Sequence, residues 1–316
     1  MMRLARAVVR ATTGAPVRMR GVRVAVVDVG ANTLRLLVAD GGGGSLEPVR
    51  EERKRTALGE DVERLGYLSE EKIESSASAA RKEVRRARKL GAARIAVVVT
   101  SPGRDASNGD RLVSTLTTAT GVQVRLLSAE EEAALGFAGA LTCTPVAAST
   151  VAVCDVGGGS TQVAVGTPEH PAWVRSVELG SLRLAQRRLQ HDPPRKDELE
   201  RARAEAAAIF SKLTPPLPEE ALATGGSARA LKRLGLDRLD EASLASALGE
   251  LAARSAEELQ RQLGIDLARA RTLPAGAIIL SEVQQRLGVP LAVARGGVRE
   301  GVCGELLAAE AAAKTA

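Results

Sequence analysis

Two short segments of the sequence pair an aspartate with a hydroxyl residue five positions later. Asp28 is followed by Thr33, and Asp155 is followed by Ser160. The seven-residue runs that end two positions after each aspartate share six residue types, and each segment continues into a second apolar run. The pattern predicts two copies of a β-hairpin whose tip carries a carboxylate, free backbone N–H groups and a hydroxyl. Two such tips facing each other would bind phosphate and a divalent cation.

The residues of both tips are suited to binding phosphate. In the first tip, Gly30 allows the backbone to approach a ligand, and Asn32 and Thr33 can donate hydrogen bonds. In the second, three consecutive glycines carry a cost in backbone entropy. Such a run is expected where the backbone must approach a ligand or another chain segment closely. An ordinary hairpin turn is the alternative for either copy alone. The candidate phosphate ligands of the second tip are Gly157, Gly158, Gly159, Ser160 and Thr161.

Three consecutive glutamates open a predicted helix that runs from 129 to about 141. Ser128 and Glu131 have the spacing of a capping box, and Glu130 suits the positive end of the helix dipole. Neither role explains Glu132.

The face of this helix that carries Glu132 is bare, because Gly136 and Gly139 lie on it. The spacing leaves two interpretations open. The bare face either packs closely against another helix or leaves room for a ligand beside the carboxylate.

Two further motifs follow predicted strands. Arg104 lies just after the strand 95–99, where a guanidinium fork can bind an oxyanion, with a surface arginine as the alternative. The turn after a later strand is rich in glycine, so Gly225, Gly226 and Ser227 are also candidate phosphate ligands.

Histidine and cysteine usage excludes several kinds of site. The two histidines, His170 and His191, lie in proline-containing loop sequence, which argues against a Ser–His–Asp triad or a histidine metal cluster. The three cysteines have irregular spacing, which argues against a disulfide framework and suits a reducing cytoplasm: Cys143, Cys154 and Cys303. The chemistry must therefore rest on carboxylates, backbone amides, arginines and a metal.

The net charge of +6 is matched by six arginines within residues 1–23, which contain no acid. The remainder is neutral on balance, so bulk charge gives no argument for nucleic acid. We predict that residues 1–21 are a basic tail without function, with a nucleic-acid arm or an artefact of the start site as alternatives. Translation from Met19 would remove most of it. No membrane span or signal peptide is predicted.

Strand-like and helix-like runs alternate along the chain, which predicts an α/β fold. Besides the hairpins at 22–39 and 150–166, we predict helices over 69–90, 109–120, 182–190, 196–213, 240–263, 274–287 and 299–314, and strands over 95–99, 122–127, 221–224 and 291–294. The basic run from Arg81 to Lys89 is typical of a solvated helix face, with a binding site as the alternative.

These motifs resemble those of the exopolyphosphatase/guanosine pentaphosphate phosphatase family (Ppx/GppA), in the actin-like superfamily. The resemblance extends from about Val22 to Leu307, and the Ser-Ala-Glu-Glu-Glu-Ala block at Ser128 is its most specific part. It also includes Leu179-Gly-Ser-Leu-Arg-Leu184, Leu273-Pro-Ala-Gly276 and Gly297-Val-Arg-Glu-Gly301. It implies two actin-like (ribonuclease H-like) domains with a cleft between them, over 22–127 and 128–302, with a C-terminal helix at about 303–316 that returns to the first domain.

The resemblance also implies an activity and roles for particular residues. Glu132 takes the position of the family's catalytic glutamate, Arg104 that of its phosphate-binding arginine, and Asp28 and Asp155 those of the metal-side aspartates. The implied reaction is Mg²⁺-assisted release of terminal phosphate from polyphosphate or a guanosine polyphosphate in the cytoplasm. A kinase of the same superfamily and a non-catalytic sensor are the alternatives. A homodimer is one open alternative for the oligomeric state, and neither nucleic acid nor a membrane is expected as partner.

The chain departs from the family's pattern at three positions. Ala31 replaces a usual serine, Ala129 a usual glycine and Gln162 a usual glutamate. The last change removes a second carboxylate, which bears on rate and metal dependence. We expect a short form of the family, with less surface for a long polymer.

Overall fold

The computed structural model describes residues 21–42 and 45–315. The predicted basic tail, apart from Gly21, and the alternative start at Met19 lie outside these ranges. Within them, no helix is long and apolar enough to cross a membrane.

The first half of the chain builds a five-stranded sheet in the order β3-β2-β1-β4-β5. β1 runs parallel to β4, and β4 parallel to β5, while β2 and β3 are antiparallel additions at one edge. The strands are β1 (Val22–Val29), β2 (Thr33–Gly42), β3 (Ser45–Arg55), β4 (Arg94–Val99) and β5 (Val124–Leu126). The helices are α1 (Leu58–Leu65), α2 (Glu70–Lys89), α3 (Ser101–Asp105) and α4 (Gly109–Thr120).

The second half repeats this plan in a six-stranded sheet of order β10-β11-β9-β6-β7-β8. Its strands are β6 (Val151–Val156), β7 (Thr161–Thr167), β8 (His170–Val177), β9 (Glu220–Thr224), β10 (Arg238–Leu239) and β11 (Leu291–Val293). Its helices are α5 (Ala129–Cys143), α6 (Ser181–Arg188), α7 (Lys196–Phe210), α8 (Gly225–Lys232), α9 (Glu241–Ala252), α10 (Ala256–Leu263), α11 (Leu267–Leu287) and α12 (Val298–Thr315).

The duplicated hairpin predicted from the sequence is confirmed. β1 pairs with β2 and β6 with β7, both antiparallel, and each first strand is also parallel to a strand from later in the chain. The register places Asp28 opposite Arg35 and Asp155 opposite Gln162. Residues that face each other across an antiparallel pair project to the same side of the sheet. The two hairpins therefore present equivalent pairs of side chains.

Several predicted elements differ from those observed. β3 and β8 extend the hairpins by a third strand each; β3 is an exposed edge strand rich in charge, so it lacks the apolar alternation that identifies strands. The predicted helix 240–263 is two helices, because Ser255 caps α10 by accepting a hydrogen bond from Glu258 N. α11 begins at Leu267, a full seven residues before Pro274, where the prediction placed its start. The turn after β4 forms the short helix α3.

Two crossing helices connect the halves. α5 packs on the second sheet, where Phe137 lies in a buried cluster with Val151 and Val153. α12 packs on the first sheet, with Val302 and Cys303 buried in the cluster of β1 and β2 residues. The cleft lies beside this crossing.

Candidate active site

The two hairpin tips face each other across a cleft of about 90 Å³. The cleft is also lined by the first turn of α8 and by the segment that leads into α12. Most of the predicted site residues line it: Asp28, Gly30, Asn32, Thr33, Glu132, Asp155, Gly157, Gly158, Gly159, Ser160, Gly225 and Gly226. The structure therefore brings residues from distant parts of the chain to one place, as the facing-tips interpretation requires.

Three predicted site residues do not line the cleft. Thr161 is fully buried, and its hydroxyl donates a hydrogen bond to Leu179 O. Ser227, in the first turn of α8, is also fully buried, and its hydroxyl accepts a hydrogen bond from Arg269 Nη1 at 3.4 Å. Arg104 pairs with Glu132 and does not line the cleft. The first two hydroxyls are therefore engaged within the protein, and the proposed contacts of all three residues with phosphate stay predictions.

The first turn of α5 fixes the position of Glu132. The predicted capping box is confirmed: Ser128 Oγ accepts from Glu131 N at 3.1 Å, and Glu131 Oε2 accepts from Ser128 N at 2.8 Å. Glu132 is then directed into the cleft, with only 11% of its side chain exposed.

Arg104 anchors Glu132 from behind. Its Nη1 donates to Leu127 O at 2.8 Å and lies 2.8 Å from Glu132 Oε2. Burial raises the pKa of Glu132 to about 7, although the Arg104 cation opposes this shift. A carboxylate with a pKa near neutrality can accept a proton from a reacting group and lose it again.

The bare face of α5 serves helix packing at Gly139. A Cβ there would lie 1.9 Å from Gly297 O, so only glycine lets the chain before α12 pass so close. At Gly136 the nearest atom to such a Cβ, on Val298, would be 4.0 Å away. The close-packing interpretation is therefore the correct one at Gly139, and the packing brings the segment before α12 beside Glu132.

Asp28 is a second cleft carboxylate whose pKa is raised. Burial raises its pKa, opposed by Arg35 and Arg299 and reinforced by Asp155. Its Oδ1 is buried without a hydrogen-bond donor, as is Asn32 Oδ1. Buried oxygen atoms without donors are suited to a hard cation or to water.

The donor set around these atoms is small. Among the described residues there is no group of three or more His, Cys, Asp or Glu side chains that could hold a metal by themselves. Two carboxylates with water and phosphate oxygens are, however, the ligand set that Mg²⁺ commonly takes at phosphate sites. The residues present therefore fit magnesium, and do not fit zinc.

Four arginines line the cleft and were missed as site residues by the sequence analysis. They come from β2, α8, α11 and α12: Arg35, Arg229, Arg269 and Arg299. Arg35 could have been found, because it lies seven residues after Asp28, as Gln162 lies seven after Asp155. Arg299 lies in the motif Gly297-Val-Arg-Glu-Gly301, to which the sequence analysis assigned no role. Arg229 and Arg269 carry no spacing signal, because only the fold brings their helices to the cleft.

These arginines are buried close to one another. Burial, together with the charges of Arg229 and Arg299, lowers the pKa of Arg35 to about 9. Burial, with the charge of Arg53, lowers the pKa of Arg269 to about 10. The pKa of Arg229 is lowered for the same reasons. Within the described residues, only Arg299 of the four forms ion pairs, with Glu51 at 3.2 Å and with Glu300 at 3.4 Å.

The turn at Gly225 and Gly226 lets one carboxylate and one guanidinium of the cleft approach the backbone. Gly225 has a φ of +88°, and a Cβ on it would lie 2.5 Å from Asp155 Oδ1. A Cβ on Gly226 would lie 2.4 Å from Arg269 Nη2. Both positions therefore require glycine to admit a carboxylate on one side and a guanidinium on the other.

A model of the Ppx/GppA phosphatase family matches residues 37–310. The chain belongs to this family. An uncharacterized protein of Streptomyces coelicolor is 33% identical over 298 residues, which is 89% of each chain. Exopolyphosphatase 1 of Mycobacterium tuberculosis is 28% identical over 309 residues, covering 92% of this chain and 89% of that protein.

The fold class is confirmed by a solved structure. The Ppx/GppA family member of Aquifex aeolicus superposes with a TM-score of 0.79 at 23% identity, covering 92% of this chain and 98% of that one. Two actin-like α/β domains with a cleft between them are therefore established for this chain. The boundaries that the sequence analysis gave for these domains stay a prediction.

One Ppx/GppA motif without an assigned role holds the two halves together beside the cleft. Arg183, from the motif that opens α6, is buried and forms ion pairs with Glu63 and with Asp105, the latter at 2.5 Å. Asp105 lies next to Arg104 in α3. The anchor of Glu132 is therefore connected to the contact between the halves.

Gln162, where we expected the family's glutamate, is buried on the cleft wall. Its Nε2 donates to Ser160 Oγ at 2.8 Å and to Ser176 Oγ at 3.2 Å. Since Ser160 accepts from the amide, its own O–H proton is free to donate into the cleft.

Proposed function

We propose that this chain is an exopolyphosphatase that hydrolyses the terminal phosphoanhydride bond of inorganic polyphosphate, with Glu132 as the general base. The family and the exopolyphosphatases of Mycobacterium tuberculosis, related over most of the chain, support this reaction class.

The observation that carries the proposal is the set of cleft arginines without carboxylate partners. Burying a cation is unfavourable unless an opposite charge accompanies it. Within the described residues, Arg35, Arg229 and Arg269 form no ion pair. Burial and neighbouring guanidinium groups lower their pKa values, and carboxylates beyond ion-pair distance oppose this shift: Asp28, Asp155 and Asp266. A polyanion in the cleft would supply the missing charge. Phosphate is the anion that guanidinium groups bind in forked geometry.

The lining of the cleft favours an inorganic substrate over a nucleotide. The chain has one Trp, one Tyr and two Phe, and none of them lines the cleft. A guanine or adenine base would therefore find no aromatic face to stack on. For this reason we propose polyphosphate as the preferred substrate and guanosine pentaphosphate as a lesser one.

The residues of the chain divide the task as follows. The N–H groups of Gly157–Ser160, the Ser160 hydroxyl and the arginines hold the terminal phosphoryl group and balance its charge. A water between this group and Glu132 attacks the terminal phosphorus while the bond to the bridging oxygen breaks. Glu132 accepts the proton of that water, and the shortened chain leaves as an anion. Arg104 holds the base in place.

Magnesium is the cofactor that these residues fit, and we propose that Asp28 and Asp155 hold it largely through water. When bound, it would neutralise negative charge on the phosphate oxygens. Its presence would also account for the unpartnered Oδ1 of Asp28.

The test is a side-by-side assay of phosphate release from tripolyphosphate, long-chain polyphosphate, guanosine pentaphosphate and ATP, with Mg²⁺ and with EDTA. We expect release from both polyphosphates, less from guanosine pentaphosphate, and none with EDTA. Transfer of phosphate from ATP to an acceptor would favour the kinase alternative. Tight binding of polyphosphate without any release would favour the sensor.

A further inference from the structure

A second, larger groove lies on the outer side of the first sheet, between β3 and α2. It has a volume of about 630 Å³ and is separate from the cleft. Its lining consists of Leu34, Glu52, Arg53, Lys54, Ser78, Ala79, Arg81, Lys82, Glu83, Arg85, Arg86 and Lys89. The basic run of α2, interpreted from the sequence as a solvated face, therefore forms one wall of a depression.

The charge of this groove is positive and largely unbalanced. Its two acids, Glu52 and Glu83, both contact Arg86, at 3.0 and 2.9 Å. Six other bases line the groove. Arg53 pairs with Asp266 of the second half, and no carboxylate of residues 21–42 or 45–315 forms an ion pair with the remaining five: Lys54, Arg81, Lys82, Arg85 and Lys89. Five cations on two facing elements make a local positive field, although residues 24–316 are neutral on balance.

The groove adjoins the cleft across the edge strand β3. Arg53 lies opposite Arg35, which lines the cleft, and pairs with Asp266 of the second half at 3.0 Å. The next residue, Lys54, lies opposite Leu34, whose side chain is buried against α2. Since successive residues of a strand project to opposite faces, the side chain of Arg53 projects to the face of Arg35 and that of Lys54 to the face of α2, although Arg53 also contributes to the groove lining. Only the width of one edge strand separates the two sets of cations.

We propose that this groove is a second polyanion site, which binds the distal part of a polyphosphate chain whose terminal phosphoryl group lies in the cleft. The proposal rests on the proposed function. A chain that leaves the cleft passes Arg53, crosses the edge of β3 and lies along the cations of α2. The groove lacks aromatic side chains on which bases could stack, which favours polyphosphate over single-stranded nucleic acid.

Substrates of different length test the proposal. The triple variant Lys82→Ala/Arg85→Ala/Lys89→Ala removes three exposed groove cations that are remote from Glu132. For long-chain polyphosphate we expect KM to rise about tenfold, which corresponds to about 1.4 kcal/mol. For tripolyphosphate, which is too short to reach α2, we expect kcat and KM to be unchanged. The matched control, Lys196→Ala/Arg203→Ala/Lys212→Ala, removes the same charge elsewhere on the surface and should leave both substrates unaffected.

Direct binding gives a second readout. With Glu132→Gln as background, the affinity for long-chain polyphosphate should depend less steeply on salt in the groove variant, by a slope of roughly 2 if three phosphate contacts are lost. The same measurement with a 30-nucleotide single strand identifies a competing ligand. If the nucleic acid binds more tightly and loses its affinity in the groove variant, the groove is a nucleic-acid site and the proposal is overturned.

The outcomes separate the two proposals. If no substrate releases phosphate, the proposed function fails. If release occurs and the groove variant behaves like the control at every chain length, the proposed function stands and the groove proposal is refuted. An equal rise of KM for tripolyphosphate would also refute it, because the effect would then be general electrostatic attraction.

Discussion

Replacing Glu132 with glutamine should abolish most activity and at the same time stabilise the fold at alkaline pH. Both effects have one cause, since Glu132 is an ionisable carboxyl in a buried place, where the charged form is unfavourable. Glutamine keeps the shape but cannot accept a proton, so we expect kcat to fall by about 10²–10⁴ while substrate still binds.

The stability effect follows from the pKa of about 7 in the fold against an ordinary value of 4.5. A carboxyl whose pKa is raised by folding contributes stability below the unfolded value, and this contribution is lost as the pH rises through the folded value. At 1.36 kcal/mol per pH unit, the loss between these limits is about 3 kcal/mol. A glutamine side chain stays neutral, so the variant does not lose this stability as the pH rises. The free energy of unfolding of the variant, compared with that of the native chain, should therefore be about 3 kcal/mol higher at pH 8.5 than at pH 4.5.

Thermal unfolding at pH 5 and pH 8.5 measures this gain, alongside kcat from phosphate release. At about 2–4 °C per kcal/mol, most of the gain should appear as a rise of several degrees in the melting temperature at pH 8.5. Glu131→Gln is the matched control from the same helical turn. The N–H of Ser128 and the Arg125 cation lower the pKa of Glu131, so that variant should be destabilised at pH 8.5 and retain activity.

The reasoning is refuted if Glu132→Gln is inactive but no more stable at pH 8.5, because the carboxylate would then not be desolvated. If Glu132→Gln is active and Glu131→Gln is not, the position of the base on α5 is wrong by one residue. If both are active, together with Glu130→Gln, another carboxylate is the base or the chain is not a hydrolase.

Three other substitutions test the remaining parts of the site. Arg104→Lys should slow turnover, weaken substrate binding and move the acidic limb of the kcat/KM profile to higher pH, because the lysine keeps the charge but not the guanidinium's hydrogen bond, which opposes the rise in the pKa of Glu132; an unchanged profile would place Arg104 outside the site. Arg229→Gln should raise the melting temperature of the free protein, because it removes a buried cation, and raise KM at least tenfold, since hydrogen bonds to charged groups contribute about 1.5–3 kcal/mol; an unaffected KM would remove Arg229 from the site. Gln162→Glu should raise the KM for polyphosphate, because a carboxylate would accept the Ser160 proton that the amide leaves free for phosphate; a higher kcat instead would mean that the chain lacks a catalytic carboxylate.

The parts of the site that the sequence predicted correctly are those encoded within a few neighbouring residues. The duplicated hairpins and the capping box at Ser128 depend on local spacing, and the structure confirms both. The capping box also left Glu132 without a structural role, and this step used only the chemistry of one helical turn. The role of Glu132 as the base is what the family resemblance implies, and it stays a prediction.

The cluster of cleft arginines could not be predicted, because no single segment contains it. Arg229, Arg269 and Arg299 lie on three different helices, and only the fold brings them together. The strand β3 was missed for a related reason. Its charges occupy both faces of an exposed edge, so it lacks the apolar alternation by which strands are recognised.

The net charge did not indicate where the fold places the charged side chains. Acids and bases balance over residues 24–316, which gave no argument for a polyanion, yet the fold distributes them unequally over the surface. Three guanidinium groups of the cleft form no ion pair within the described residues, and five further cations lie between β3 and α2. A neutral chain with two segregated positive surfaces on either side of one edge strand attracts an anion that is long enough to reach both. The net charge therefore does not indicate the ligand of this chain. The ligand depends instead on which charged side chains the fold leaves without an ion-pair partner.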